Sequence, residues 1–282
     1  MVWKTQDELK DARKRPQNTN PGDTLFGAAL GIIHEDPPEF LRNDAFLDQL
    51  VKDRRIERSY AEECLERVKK GADEGILNAL NQPLFYSSLP ETYAYEDIAL
   101  LLGKTKKFID DTAGRLRRTD AVIHSVVKGL KTDGGTGMHE AFVKLGKRHQ
   151  DVDARNGTEP GSDIRYINQV SLAYTLLTFS FSPFHALGRE GQDKFSDDQK
   201  DAWLHMWNVV GSLMGIESGG CPDGQSDAQA MWKAVLESPP YEYTEEGHDL
   251  TKALIALAGQ DKKQLFFRYG GKKLMDRLGI KE

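Results

Sequence analysis

The stretch RLRRTDAVIHSVV, which begins at Arg115, decides the fold of this protein. Arg115, Arg118 and Thr119 recur at spacings of three and four residues, so they share one face of a helix. The same face continues through Val122, Ile123, Val126 and Val127. The pattern therefore predicts basic and polar side chains on a helix face that turns towards the core. The ordinary alternative is a solvated basic face whose cations pair with Asp110 or Asp111.

A second stretch, FVKLGKRHQDV at residues 142–152, places a histidine among hydrophobic residues. Phe142, Leu145, His149 and Val152 recur with the 3.6-residue period of an amphipathic helix. Such a histidine is either a neutral imidazole bonded to a backbone carbonyl in the core or a metal ligand. Because burying a charged or polar group is costly without a partner, the two stretches together indicate a ligand site or a paired polar core.

The composition excludes several classes of protein. The chain has 282 residues, of which 39% are hydrophobic and 9% aromatic, enough for a sizeable core. A net charge of −6 gives no general attraction to nucleic acid or to an anionic membrane. Cys64 and Cys221 lie far apart and lack metal-ligand spacing, which disfavours a disulfide framework and a zinc module. The chain shows no signal-peptide pattern and no apolar run of transmembrane length, so we expect a cytoplasmic protein with no membrane span.

Helical periodicity dominates the chain, whereas strand signals are scarce. We predict helices at about 91–103, 106–118 leading into 119–130, 138–152, 167–187, 197–216, 225–237, 244–258 and 261–276. Residues 82–90 are expected to form a loop, and Pro183 is expected to end or kink its helix. Residues 1–22 are expected to form a short helix or a loosely held tail. Residues 23–282 are predicted to form a single all-α domain.

The remaining motifs narrow the chemistry. His139, which lies beside the glycine-rich turn at 132–137, is the best alternative to His149 as a ligand. No HxxxH pair appears, so a zinc site lacks its usual helical spacing. The chain contains no GxGxxG, GxxxxGK[ST] or GxSxG sequence, which disfavours nucleotide cofactors and serine hydrolase chemistry.

Glu96 is a candidate for proton transfer. It shares a predicted helix face with Tyr93, Ala99 and Leu100, so its carboxylate is expected to lean inward. A carboxylate on an apolar face can have a raised pKa and act as a proton donor or acceptor. The ordinary alternative is a surface ion pair with a lysine or an arginine.

Several short motifs, in this order and spacing, resemble the catalytic domain shared by bacterial rubber oxygenases (latex clearing protein) and fungal mycophenolate-pathway oxygenases. They occupy about residues 95–218 and read YED (95–97), RLRRT (115–119), VK to RH (143–149), INQ (167–169), TFS (178–180) and WLHMW to LMGI (203–216). The resemblance implies an all-α fold with a globin-related core and a bound haem b.

The resemblance also implies roles for individual residues. In that family the haem-ligating histidine follows an Arg-x-x-Lys-Thr motif at a fixed distance, and this position is His149. The family's distal arginine and threonine correspond to Arg115 and Thr119, and its lysine position is occupied by Arg118. Its proposed catalytic glutamate corresponds to Glu96 if a three-residue insertion is allowed. An arginine is a poorer iron ligand than a lysine because it stays protonated.

The resemblance thus implies a haem-dependent oxygenase that oxidises a small hydrophobic substrate with O2. His149 is expected to bind iron with one ring nitrogen and an acceptor with the other. Arg115 and Thr119 are expected to face the open iron position, and Arg118 to close that position or to pair with a propionate. Glu96 is expected to move a proton. Two alternatives remain open, a non-catalytic haem sensor or carrier and an all-α interaction protein without a cofactor; the sequence sets neither the substrate nor the oligomeric state.

Overall fold

The structure is a computed structural model that describes most of the chain. The described residues are 2–17, 67, 70–104, 111–132, 136–158, 161 and 164–282, without the side chains of 128–141, 143 and 218. Residues 23–66, where we expect the main domain to begin, lie outside this description, as do Asp110 and the side chain of His139.

The described part of the chain is helical and contains no β-strand. Its only strand-like pairings are two isolated bridges, Pro16 with Asn168 and Thr158 with Arg165. The all-α prediction is therefore confirmed. None of the described helices has the length and apolar character needed to cross a bilayer.

The α-helices follow one another along the chain with short connections. They are α1 (Gln6–Lys14), α2 (Glu74–Pro83), α3 (Leu89–Tyr93), α4 (Glu96–Lys104), α5 (Thr112–Thr132), α6 (Thr136–Asn156), α7 (Gln169–Ser180), α8 (Ser182–Arg189), α9 (Asp197–Leu213), α10 (Gln225–Leu236), α11 (Glu245–Ala258), α12 (Lys263–Leu265) and α13 (Lys272–Arg277). Two π-helical turns (Leu84–Ser88 and Phe266–Gly270) and two 3₁₀ turns (Ser218–Gly220 and Gln260–Lys262) complete the described elements.

Local sequence signals explain where many of these helices begin. Reciprocal capping boxes open α1, α7 and α9, formed by the pairs Thr5/Glu8, Asn168/Ser171 and Ser196/Gln199. In each pair one side chain accepts a hydrogen bond from a backbone N–H that the helix itself leaves unpaired. Pro183 lies in the first turn of α8, so the predicted interruption of the 167–187 helix is confirmed.

The prediction of a loop at residues 82–90 is wrong, because this segment is helical. Helix α2 continues to Pro83, and the π-helical turn leads directly into α3, with Pro90 in its first turn. A proline in a first turn breaks no hydrogen bond, since the N–H there has no helical acceptor. Burial of Leu84, Ser87 and Ser88 favours the helical path over the local turn signal.

Helix α7 lies at the centre of the core. It packs against α1, α8, α9 and α10, and its Tyr174 and Leu177 are fully buried. Helix α9 contributes Trp203 and Leu204 to the same core, with no exposed surface on either side chain. Helices α5 and α6 pack on each other, and α6 also packs on α9. The two stretches that carry Arg115 and His149 are therefore brought side by side.

The N-terminal helix α1 is docked onto the core. Arg13 Nε donates to Asp97 Oδ2 at 2.8 Å, and Asp97 is almost fully buried at the start of α4. Asn168 Nδ2 donates to the same carboxylate oxygen at 2.8 Å. Arg15 Nε lies 3.0 Å from Glu217 Oε2. Of the two expectations for residues 1–22, the described residues 2–17 show the helix.

Candidate active site

Helix α5 places Arg115 in a half-buried environment. Burial lowers the pKa of the Arg115 guanidinium, and the nearby Arg118 charge lowers it further, whereas the buried Tyr93 on α3 acts in the opposite direction. An arginine nevertheless stays protonated near neutral pH. The structure therefore holds a positive charge on the inner side of α5, as the helical spacing predicted.

Helix α6 places His149 next to that charge. The imidazole is half-buried, and its Nδ1 atom is buried without a hydrogen-bond partner. Burial lowers the pKa of His149 to about 4, and the charges of Arg115 and Arg148 contribute in the same direction. The imidazole is therefore neutral at pH 7, the form in which a ring nitrogen can bind a metal.

The environment of His149 differs from the expected one in one respect. A haem-ligating histidine usually donates its second ring N–H to an acceptor that fixes the ring orientation. The Nδ1 atom of His149 meets no such acceptor. Among the described residues, the orientation of the ring is therefore set by packing and by its position on α6.

The position of α6 itself is fixed one turn before His149. Gln17 Nε2 donates to the Gly146 carbonyl oxygen at 3.1 Å and also to the carbonyl of Met214, the C-terminal cap of α9. A Cβ atom on Gly146 would lie 3.2 Å from Gln17 Nε2 and 3.3 Å from the Met214 backbone. Glycine at this position thus allows α6 and the end of α9 to approach closely.

Thr119, one turn after Arg115, lines a cavity of about 600 Å³. The wall of this cavity is mainly apolar, with Leu84, Phe85, Leu89, Leu116, Ile123 and Phe179. Its residues come from α2, the first π-helical turn, α3, α5, α7 and α11. Because Thr119 shares a helix face with Arg115 and also lines the cavity, it connects the polar site to an apolar binding space.

Aromatic side chains support two sides of the cavity. Phe179 stacks on Trp207 of α9, with ring centroids 5.3 Å apart and an angle of 20° between the rings. Phe85 packs edge-on against Tyr86 at 4.9 Å and contacts Phe266 at 6.0 Å. Such ring packing holds the cavity walls in defined positions.

Arg118 lies apart from the buried site. Its side chain is 66% exposed, and its Nη1 atom lies 3.4 Å from Asp111 Oδ2. The ordinary alternative considered for the basic stretch, an ion pair at the surface, thus describes Arg118. It does not describe Arg115, which the packing of α5 turns inward.

Glu96 lies at the first residue of α4, beside the N-terminal helix. Its Oε2 atom is 3.6 Å from Arg13 Nη2, and its side chain is 26% exposed. The fully inward carboxylate at this helix end is that of Asp97, which pairs with Arg13 and Asn168. The contacts that the structure gives therefore place Glu96 at the edge of the α1 ion-pair network.

Sequence reasoning missed one buried carboxylate, that of Glu91 on α3. Glu91 Oε2 accepts hydrogen bonds from the hydroxyl groups of Tyr241 at 2.6 Å and Tyr174 at 3.2 Å. Burial raises the pKa of Glu91, although the two hydroxyl donors oppose this effect. Its partners lie 83 and 150 residues away in sequence, so no local pattern could have revealed them.

Comparison with known proteins identifies the family. The family model of the catalytic domain of ER-bound oxygenase mpaB/B′ and rubber oxygenase matches residues 75–278, well over half of the chain. The chain belongs to this oxygenase family. Among solved structures, latex clearing protein LCP in the closed state is similar, with a TM-score of 0.64 and 20% identity over 86% of this chain and 68% of that one. At this identity the likeness shows the fold alone, and no curated protein sequence matches the chain.

Membership of the mpaB and rubber oxygenase family makes the protein an enzyme, which argues against the interaction protein without a cofactor. The family match includes α2 to α13, and therefore both Arg115 and His149 as well as the apolar cavity. Among the described residues, no group of three or more histidine, cysteine, aspartate or glutamate side chains is arranged to hold a metal ion. A single histidine on α6 is thus the metal-ligand candidate that the described side chains offer beside Arg115.

Proposed function

We propose that this protein is a haem b-dependent oxygenase that oxidises a small hydrophobic substrate with O2, and that His149 is the axial iron ligand. The observation that carries the proposal is the neutral imidazole of His149, with a buried and unpartnered ring nitrogen, beside the charge of Arg115. A buried polar atom without a partner is rare in a folded protein and indicates a ligand or a functional role.

The residues present fit a haem. A haem needs one neutral imidazole, an apolar surrounding for the macrocycle and cations for its propionates. His149 is neutral at pH 7, and Leu145 on the same helix packs against the core. Arg115 and Arg118 supply cations on the neighbouring helix. When bound, haem would supply the iron centre that activates O2.

In this proposal Arg115 and Thr119 act on the reacting oxygen atoms. Arg115 holds a positive charge in surroundings with little water, where electrostatic stabilisation is stronger than in bulk solvent. Thr119 offers a hydroxyl at the border between that charge and the apolar cavity. Together they would orient the substrate and stabilise negative charge that develops on oxygen.

The cavity supports a small hydrophobic substrate. Its volume of about 600 Å³ falls within the usual range for sites that bind compact organic molecules. Its leucine, isoleucine and phenylalanine lining excludes water from the bound molecule, which strengthens polar interactions at Thr119. An apolar molecule would gain most of its binding energy from this burial.

The proposal assigns two further roles at the edge of the site. Arg118 is exposed and held only by Asp111, so it could exchange that partner for a propionate. Glu96 would move a proton, a role that follows from the family resemblance and that its partial exposure allows. Its contact with Arg13 gives Glu96 a competing structural role, and mutation can separate the two.

The test is the absorption spectrum of the purified protein and of two histidine variants. We expect a Soret band in the wild type, its loss or shift in His149→Ala, and its retention in His139→Ala as the matched control on the same helix. A colourless wild type that takes up no added haemin would refute the proposal, and an unchanged band in His149→Ala would move the ligand elsewhere. Haem uptake without O2 consumption on alkenyl compounds would favour a haem sensor or carrier.

A further inference from the structure

The polar residues of the cavity are concentrated on one helix. Arg117, Thr119, Asp120 and His124 all belong to α5, and Asn81 on α2 is the other polar residue in the lining. The apolar residues occupy the remaining walls. Because Arg117, Asp120 and His124 are exposed, they form a charged rim where the cavity meets solvent.

The charges of this rim are not balanced among themselves. His124 Nδ1 lies 3.3 Å from Asp120 Oδ1 and also contacts the Asp120 carbonyl oxygen at 3.0 Å. The next arginine on the helix, Arg118, pairs with Asp111. Arg117 makes no ion pair with any residue that the structure describes. A cation at the mouth of an apolar cavity is therefore available to an anionic group of a ligand.

We propose that the cavity binds an amphipathic carboxylic acid, with its hydrocarbon chain against the leucine and phenylalanine walls and its carboxylate at Arg117. The inference deepens the proposed function, on which it rests for what happens to the bound molecule. A guanidinium matches a carboxylate with two parallel N–H donors, so Arg117 favours this anion over an ester or an alcohol of the same chain length. Thr119, two residues further along α5, would then lie against the chain and away from the head group.

The expected preference is modest because Arg117 is exposed to solvent. Exposed ion pairs typically contribute less than about 1 kcal/mol, so we expect a three- to fivefold difference in Kd at low ionic strength. Salt would reduce this difference, since solvent screens exposed charges. The apolar walls would supply most of the affinity for both kinds of ligand.

Isothermal titration of the purified protein with citronellic acid and with its methyl ester tests this inference. We expect the acid to bind three- to fivefold more tightly than the ester in the wild type. Arg117→Gln should bring the affinity for the acid down to that for the ester, whereas Lys144→Gln, which removes an exposed cation from α6, should keep the preference. Leu116→Trp, which fills the cavity beside Arg117, should weaken both ligands.

Equal binding of acid and ester, or no binding of either, would overturn the inference. So would a preference for the acid that survives in Arg117→Gln or a binding of both ligands that Leu116→Trp leaves unchanged. Thermal unfolding of each variant confirms that it is folded before titration. The readout is binding rather than turnover, so a protein that lacks haem contradicts the proposed function while the ligand preference is still measured.

Discussion

Arg115 on α5 lies close enough to His149 on α6 for its charge to lower the pKa of the imidazole. Burial acts in the same direction and is the larger cause. The two residues are 34 positions apart in sequence, yet the packing of α5 on α6 makes them neighbours. This relationship keeps His149 neutral at physiological pH and places a cation next to it.

Removal of the Arg115 charge should raise the pKa of His149. In Arg115→Gln the pKa should move from about 4 towards the ordinary value near 6.5, although burial still holds it below that value. Titration of labelled histidine by NMR in the haem-free protein measures the change, and Arg115→Lys, which retains a positive charge, serves as the control. An unchanged pKa in Arg115→Gln would show that the two groups are not coupled.

Glu96→Gln separates a catalytic role from a structural one. If Glu96 moves a proton, its loss should reduce turnover by about 10²-fold or more. Its contact with Arg13 is partly exposed, so the effect on unfolding free energy should stay below about 1 kcal/mol. Steady-state O2 consumption and thermal unfolding give the two measurements. Full turnover would leave Glu96 with the ion pair alone.

Gly146→Ala should disturb the position of α6. The added Cβ would lie 3.2 Å from Gln17 Nε2 and 3.3 Å from the backbone of Met214, closer than carbon atoms normally approach. We expect a loss of about 1–3 kcal/mol in unfolding free energy, as for other overpacked interiors, measured by urea denaturation. Gly188→Ala on α8 is the matched control, because no atom lies within 4 Å of its Cβ position. Equal stability of the two variants would contradict the close contact.

Glu91→Gln should make the protein less sensitive to rising pH. Burial raises the pKa of Glu91 in the folded state above its ordinary value of 4.5. The folded state therefore favours the protonated form, so stability is present in full below pH 4.5 and is lost as pH rises through the folded pKa. Glutamine cannot ionise and still accepts the hydrogen bonds of Tyr174 and Tyr241. Urea denaturation between pH 5 and 8 should show a smaller loss of stability in the variant; parallel losses would contradict the prediction.

Much of the fold follows from local sequence signals. The 3.6-residue periodicity predicts helices near their observed positions, and Pro183 separates α7 from α8 as expected. These features depend on interactions within a few residues, which the sequence contains in full. The loop predicted at 82–90 fails for the opposite reason, because burial of Leu84 against distant parts of the chain outweighs the local turn signal.

The sequence by itself determined that Arg115, Thr119 and His149 occupy inward positions of two helices, because helical spacing fixes which residues share a face. Only the tertiary structure decided which members of that face are buried. Arg118 shares the predicted face with Arg115 but reaches solvent and Asp111, and Glu96 yields the buried position to Asp97. Neighbouring helices cover one side of a face more than the other, and periodicity carries no information about what covers it.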